Sequence, residues 1–113
     1  MDARSEEARI ARTESIFRHV NERIAETAEQ SGAETPVFVC ECADPDCQHR
    51  LEVPLDEYED VRDDATRFIV AEGHEEPGYE RVVRRRRGYA IVQKITRRLA
   101  QMVRRSDPRG GTA

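Results

Sequence analysis

An α+β fold is what this sequence predicts. It is expected to be a small antiparallel or mixed β-sheet of about five short strands with a Cys3His metal site, flanked by a long N-terminal helix and a C-terminal helix. Three observations carry the expectation. Apolar residues recur at helical spacing near both ends of the chain, at Ile10, Phe17 and Ile24 and again at Ile95, Leu99, Met102 and Val103. Between them lie short apolar or alternating runs, VFV, LEVPL, RFIVA, YERVVRRR and YAIVQKI, separated by turn-forming residues. All three cysteines of the chain, Cys40, Cys42 and Cys47, fall within the 37–55 stretch VFVCECADPDCQHRLEVPL.

The chain of 113 residues has room for one domain and an extension, and its 37% hydrophobic and 5% aromatic content allows only a modest core. Domains of that kind often depend on a metal or a partner. The sequence divides into an N-terminal helix as a candidate oligomerisation element (1–33), a metal-binding α+β domain (34–94), a basic C-terminal helix (95–105) and a disordered tail (106–113). No segment is apolar enough for a membrane span, and MDARSEEARIARTE lacks the apolar region of a signal peptide. A cytoplasmic setting is the resulting expectation, and there a cysteine cluster more often binds metal than forms disulfides.

The N-terminal helix is expected over 6–31, with Ser5 as its cap and Gly32 as its stop. Its apolar stripe is narrow for the length, so it packs on the domain, on the C-terminal helix or on a second copy of the chain. His19 is expected to be a surface or seam residue. Val37, Phe38 and Val39 form a first strand, Asp44–Pro45–Asp46 a turn, and Leu51, Val53 and Leu55 a second strand, giving a hairpin with the cysteines at its tip. Asp56 followed by Glu59 matches a capping box for a short helix that turns Tyr58 and Val61 inward. Residues 67–71 make a third strand, and the chain then turns through EGHEEPG into a fourth. Arg87–Gly88 reverses it into a fifth.

Cys40 and Cys42 lie on one side of an extended segment because strand side chains alternate. The ADPD turn brings Cys47 back toward them. Three thiolates converging on one point suit Zn2+, although C-x-C departs from the commoner two-to-four-residue spacing. The other readings are a buried apolar role for the thiols or metal-free redox chemistry, and no C-x-x-C pair favours the latter. His74 is the favoured fourth ligand because it would close a long loop. His49 is its rival, with Asp44, Asp46, Glu75 or water behind them. Water on the metal, with Glu75 or Glu76 as general base, would be needed for hydrolysis. Three thiolates and one imidazole instead fit a closed structural site.

Residues 1–80 hold 8 basic and 22 acidic side chains, whereas 81–113 hold 11 basic and 1 acidic. The two parts should attract each other. Arg84, Arg85, Arg86, Arg87, Lys94, Arg97 and Arg98 are candidates for contact with nucleic acid or an acidic partner, and Tyr89 for stacking on a base. The competing reading is a solvated hairpin tip facing the acidic part of the chain. No P-loop, dinucleotide glycine pattern, nucleophile elbow or zincin motif is present, so catalysis is not expected.

The segments FVCECADPDC, LDEYEDVR, FIVAEGHE and ERVVRRRRGYAIVQK together resemble a group of small bacterial proteins, mostly of actinobacterial type, that carry no assigned activity. The resemblance spans roughly 14–94 and implies that Cys40, Cys42, Cys47 and His74 belong to one arrangement. The function expected first is a non-enzymatic, zinc-stabilised interaction or regulatory domain, meeting a protein partner or itself through its helices. A nucleic-acid-binding module using 81–105 and a zinc-thiolate redox switch are the alternatives. No small-molecule substrate and no membrane are indicated.

Overall fold

The computed structural model describes residues 2–110. Helix α1 (Ala3–Ser31) starts one turn before the expected position, because its cap is Asp2 rather than Ser5. The Asp2 carboxylate accepts the Ser5 backbone N–H at 2.8 Å, so Ser5 lies inside the first turn. The helix stops at Gly32, whose φ of 79° is left-handed and favours glycine.

Five antiparallel strands follow, divided between two sheets rather than joined in one. β1 (Val37–Val39) and β2 (Arg50–Glu52) form the expected hairpin, with Phe38 opposite Leu51. α2 (Leu55–Val61) follows, then β3 (Arg67–Ala71), β4 (Glu80–Arg86) and β5 (Tyr89–Lys94), which assemble in the order β3-β5-β4. A bulge at Val83 shifts the register between Val82↔Val92 and Arg84↔Ile91. α3 (Arg97–Arg105) completes the order. The Asp56–Glu59 capping box is not realised. Leu55 already opens α2, Pro54 holds the cap position with no side-chain bond, and Asp56 sits in the first turn.

The core lies between these layers. Tyr58 of α2 stacks on Phe38 of β1 with ring centroids 4.3 Å apart, and Phe68, Ile69, Val70, Ile91, Val92, Leu99 and Val103 are buried with them. What α1 presents to this core is partly charged. Glu14, Arg18 and Asn21 are buried on its inner face, while Ile16 and Val20 are left 60% and 42% exposed. Each buried group meets a partner across the core, although Glu14 Oε2 and Arg18 Nε make no hydrogen bond. The Arg18 guanidinium lies 3.5 Å over the Phe68 ring and donates to the carbonyls of Ala65, at 2.7 Å, and Arg67. Lys94 of β5 extends its ammonium between Glu14, 2.5 Å away, and Glu80 of β4.

The segment after α3 is anchored over its described part rather than disordered. Asp107 accepts from the buried Arg62 guanidinium. Arg109 bonds Glu22 at 2.5 Å and grips the two carboxylate oxygens of Glu59 at 2.9 Å each. These ties join the segment after α3 to α1 and α2. The remainder of the expected tail, 111–113, lies outside the described residues. Replacing Asp107 by Ala removes one of the two carboxylates facing Arg62. The expected cost is about 1.5–3 kcal/mol, read as a lowered urea midpoint with an unchanged slope.

Candidate metal centre

The site is built where the two sheets meet. Cys40 directly follows β1, and its N–H donates to the His49 carbonyl at 3.1 Å, extending the hairpin pairing beyond the strand ends. Its Sγ accepts the Ala71 N–H of β3 at 3.1 Å. Cys42 is equally buried, with 3% exposure against 1% for Cys40. The ADPDC turn is fixed internally, by the Asp46 N–H to the Asp44 side chain at 2.9 Å and the Cys47 N–H to the Asp44 carbonyl at 3.1 Å. This returns the half-buried Cys47 toward the first two thiols. His74 arrives from the end of β3 through a tight turn closed by its N–H on the Ala71 carbonyl at 3.0 Å, with Gly73 at a φ of 83°.

One ligand atom from each of Cys40, Cys42, Cys47 and His74 lies within 4.8 Å of the others. The His74 Nδ1 stands 3.7 Å from Cys40 Sγ and 3.6 Å from Cys47 Sγ. Bond lengths near 2.3 Å to sulfur and 2.0–2.1 Å to nitrogen give a tetrahedral S···N edge of about 3.6 Å. These two edges therefore have the length that a tetrahedral metal shell requires. His49 stays outside it. It is exposed, and its ring meets the His74 ring edge-on with centroids 4.5 Å apart. Asp44 and Asp46 are exposed, and neither they nor Glu75 nor Glu76 belongs to the cluster.

The electrostatics also fit a cation. A hydrogen bond from the Cys40 thiol draws Cys42 down to about 5, with help from His74 and the Asp44 N–H and against its own burial. The same bond and burial push Cys40 up, and burial likewise raises Cys47. The thiols thus share one negative charge among themselves. Ionising all three in so small a volume calls for a positive centre between them, which a divalent ion supplies.

Glu41, between the first two cysteines, has a role that the sequence did not disclose. It is fully buried on the side away from the thiols. Its carboxylate accepts from Asn21 Nδ2 at 2.9 Å and from the Ile69 N–H at 3.0 Å, and its own N–H donates to the Ile69 carbonyl at 2.8 Å. The Asn21 amide also bonds both the N–H and the carbonyl of Val39, at 2.8 Å each, as a neighbouring strand would. α1 and β3 thereby hold the C-x-C segment from both sides. Alternation in C-E-C already turns Glu41 opposite to the thiols, which was the available signal that an acid pointed inward and needed partners.

The basic segment is dispersed by the fold. Arg84 pairs with Asp60 at 3.7 Å and Arg86 with Glu57 at 3.2 Å, so α2 neutralises half of the four-arginine run. Arg85, Arg87, Arg97 and Arg98 are exposed, with Arg98 4.0 Å from Glu7. Tyr89 and Lys94, expected on the contact surface, are both buried. The Tyr89 hydroxyl donates to Glu57 at 2.8 Å, and Lys94 is held by Glu14 and Glu80, so neither is presented to a partner.

No protein-family model, curated protein or solved structure matches the chain. Of the resemblance to small bacterial proteins, the C-x-C-x4-C spacing of a cysteine-rich metal-binding motif is the part supported by the clustered ligands.

Proposed function

We infer that the chain is a non-enzymatic interaction domain whose Cys40, Cys42, Cys47 and His74 hold one structural Zn2+. The observation that carries this reading is the four-residue cluster, with its S···N separations of 3.6 and 3.7 Å. Its placement supports a structural role. Three ligands come from the β1–β2 hairpin and the fourth lies 27 residues beyond Cys47, after β3, so the ion clasps one sheet to the other. Three thiolates and an imidazole fill a zinc shell and leave no position for a reacting water. Ile16 and Val20, exposed on α1, support contact with a protein partner. A nucleic-acid role is supported less, since α2 already faces Arg84 and Arg86 with carboxylates.

Elemental analysis of the purified chain is expected to return one zinc per molecule. His74→Ala should weaken zinc retention against a competing chelator by about 100-fold or more, through loss of a ligand to the ion. His49→Ala should alter it by less than about tenfold, as a neighbour outside the coordination shell. Equal loss in the two variants would refute the ligand assignment, and a metal-free chain that melts cooperatively would refute the clasp.

A further inference from the structure

We propose that Cys47 is the oxidation point of the cluster, where a peroxide opens the clasp and releases the metal. The inference rests on the zinc reading above and on the unequal burial of the three sulfurs. Cys40 and Cys42 are enclosed, with 1% and 3% exposure, and Cys40 Sγ is further held by the Ala71 N–H. Cys47 is only partly covered. Together with His74, it lines an open cleft of about 470 Å3 whose other walls are Asp44, Asp46, Gln48 and His49. A small oxidant entering from solvent meets Cys47 first.

The chemistry balances with a peroxide and two cysteines. The Cys47 thiolate attacks one oxygen of hydrogen peroxide and breaks the O–O bond, forming a sulfenic acid and expelling hydroxide, which leaves as water. The Cys42 thiolate then attacks the Cys47 sulfur, forms the disulfide and expels the second hydroxide, also as water. Two thiolates are oxidised by two electrons, one peroxide is reduced, and two protons are taken up. Cys42 is the resolving partner because the ADPD turn returns Cys47 to hydrogen-bonding reach of its sulfur, whereas Cys40 Sγ is held by the Ala71 N–H of β3. With two of its four ligands joined to each other, the site no longer holds the ion, and the hairpin loses its tie to His74. A thiol reductant together with zinc restores it.

The experiment treats the zinc-loaded full chain with hydrogen peroxide. Zinc release is followed with a chromogenic chelator, and the cysteines are mapped by alkylation and mass spectrometry at successive times. The expected result is stoichiometric release accompanied by a Cys42–Cys47 disulfide, with Cys47 the first residue modified. A Cys47→His variant, which keeps four ligands, should release zinc about tenfold more slowly at the same peroxide concentration. Zinc retained by the wild-type chain, or Cys40 or Cys42 modified before Cys47, overturns the proposal and leaves the clasp standing. A reconstituted chain that never held zinc overturns both. Should Cys47→His fail to fold, the order of modification in the wild-type chain decides.

Discussion

Stripping the metal is expected to lower the thermal midpoint of the chain by at least about 20 °C. Structural zinc contributes on the order of 10 kcal/mol in small domains, whereas a whole domain is commonly stable by only about 5–15 kcal/mol. Each kcal/mol lost corresponds to a midpoint shift of about 4 °C or more at this size. The loss should be uneven. Segment 40–49, which carries three of the four candidate ligands, should lose amide-exchange protection first. Ile91 and Val92 are packed in a sheet whose strand pairing does not involve the ligands, and they should keep protection longer. Acid should mimic the chelator, because His74 and the thiols bind zinc only when deprotonated. Differential scanning calorimetry of zinc-bound and chelated chain, with exchange mapped by mass spectrometry, measures both effects. An unchanged midpoint after verified zinc loss would remove any structural role.

The second large effect concerns Lys94 and Glu14, and the two residues should respond oppositely. Lys94→Met is expected to cost about 3–5 kcal/mol at neutral pH, because it leaves the buried Glu80 carboxylate without its cation. Glu14→Gln should instead be tolerated. Burial, with Glu80 and Glu41 nearby and in spite of Lys94, raises the Glu14 carboxyl from 4.5 to about 8. The folded chain therefore keeps a proton on Glu14 that the unfolded chain releases above about pH 4.5. Stability from this group is fully present below that pH and falls as the pH rises toward 8. Glutamine removes the dependence. The variant should gain on the order of 3 kcal/mol relative to wild type between pH 5 and pH 8. Urea titrations at the two pH values test this, and a constant difference would mean that Glu14 is ionised in the folded chain.

Much of the architecture was legible because it rests on local pattern. The apolar run Phe68–Val70 marks a strand whatever surrounds it, and Gly32 marks a helix end; the alternation Leu51, Val53, Leu55 marks a strand that in fact ends at Glu52, because Leu55 already opens α2. The cluster was legible too, since C-x-C and a reversing turn bring sulfurs together by chain geometry alone. What stayed hidden depends on contacts distant in sequence. Glu14, Arg18 and Asn21 count as surface residues in any periodicity, yet they face inward because Lys94, Phe68 and Glu41 wait there as partners. Lys94 looked like part of a basic surface for the same reason. Asp107 and Arg109 lie in a segment with no apolar signal, and only Arg62, Glu22 and Glu59 reveal why it is tied down.

The position of Glu41 bears on whether the metal loop is portable. A ten-residue segment, Cys40 to His49, supplies three of the four candidate ligands and looks like a cassette that could be grafted onto another protein. Yet the backbone of its first half is oriented by Glu41 through Asn21 of α1 and Ile69 of β3, both outside the segment. A graft without those receptors would leave a buried acid with no partner, or turn it to water and rotate the cysteines with it. The smallest transferable unit is therefore the loop together with its helix and strand.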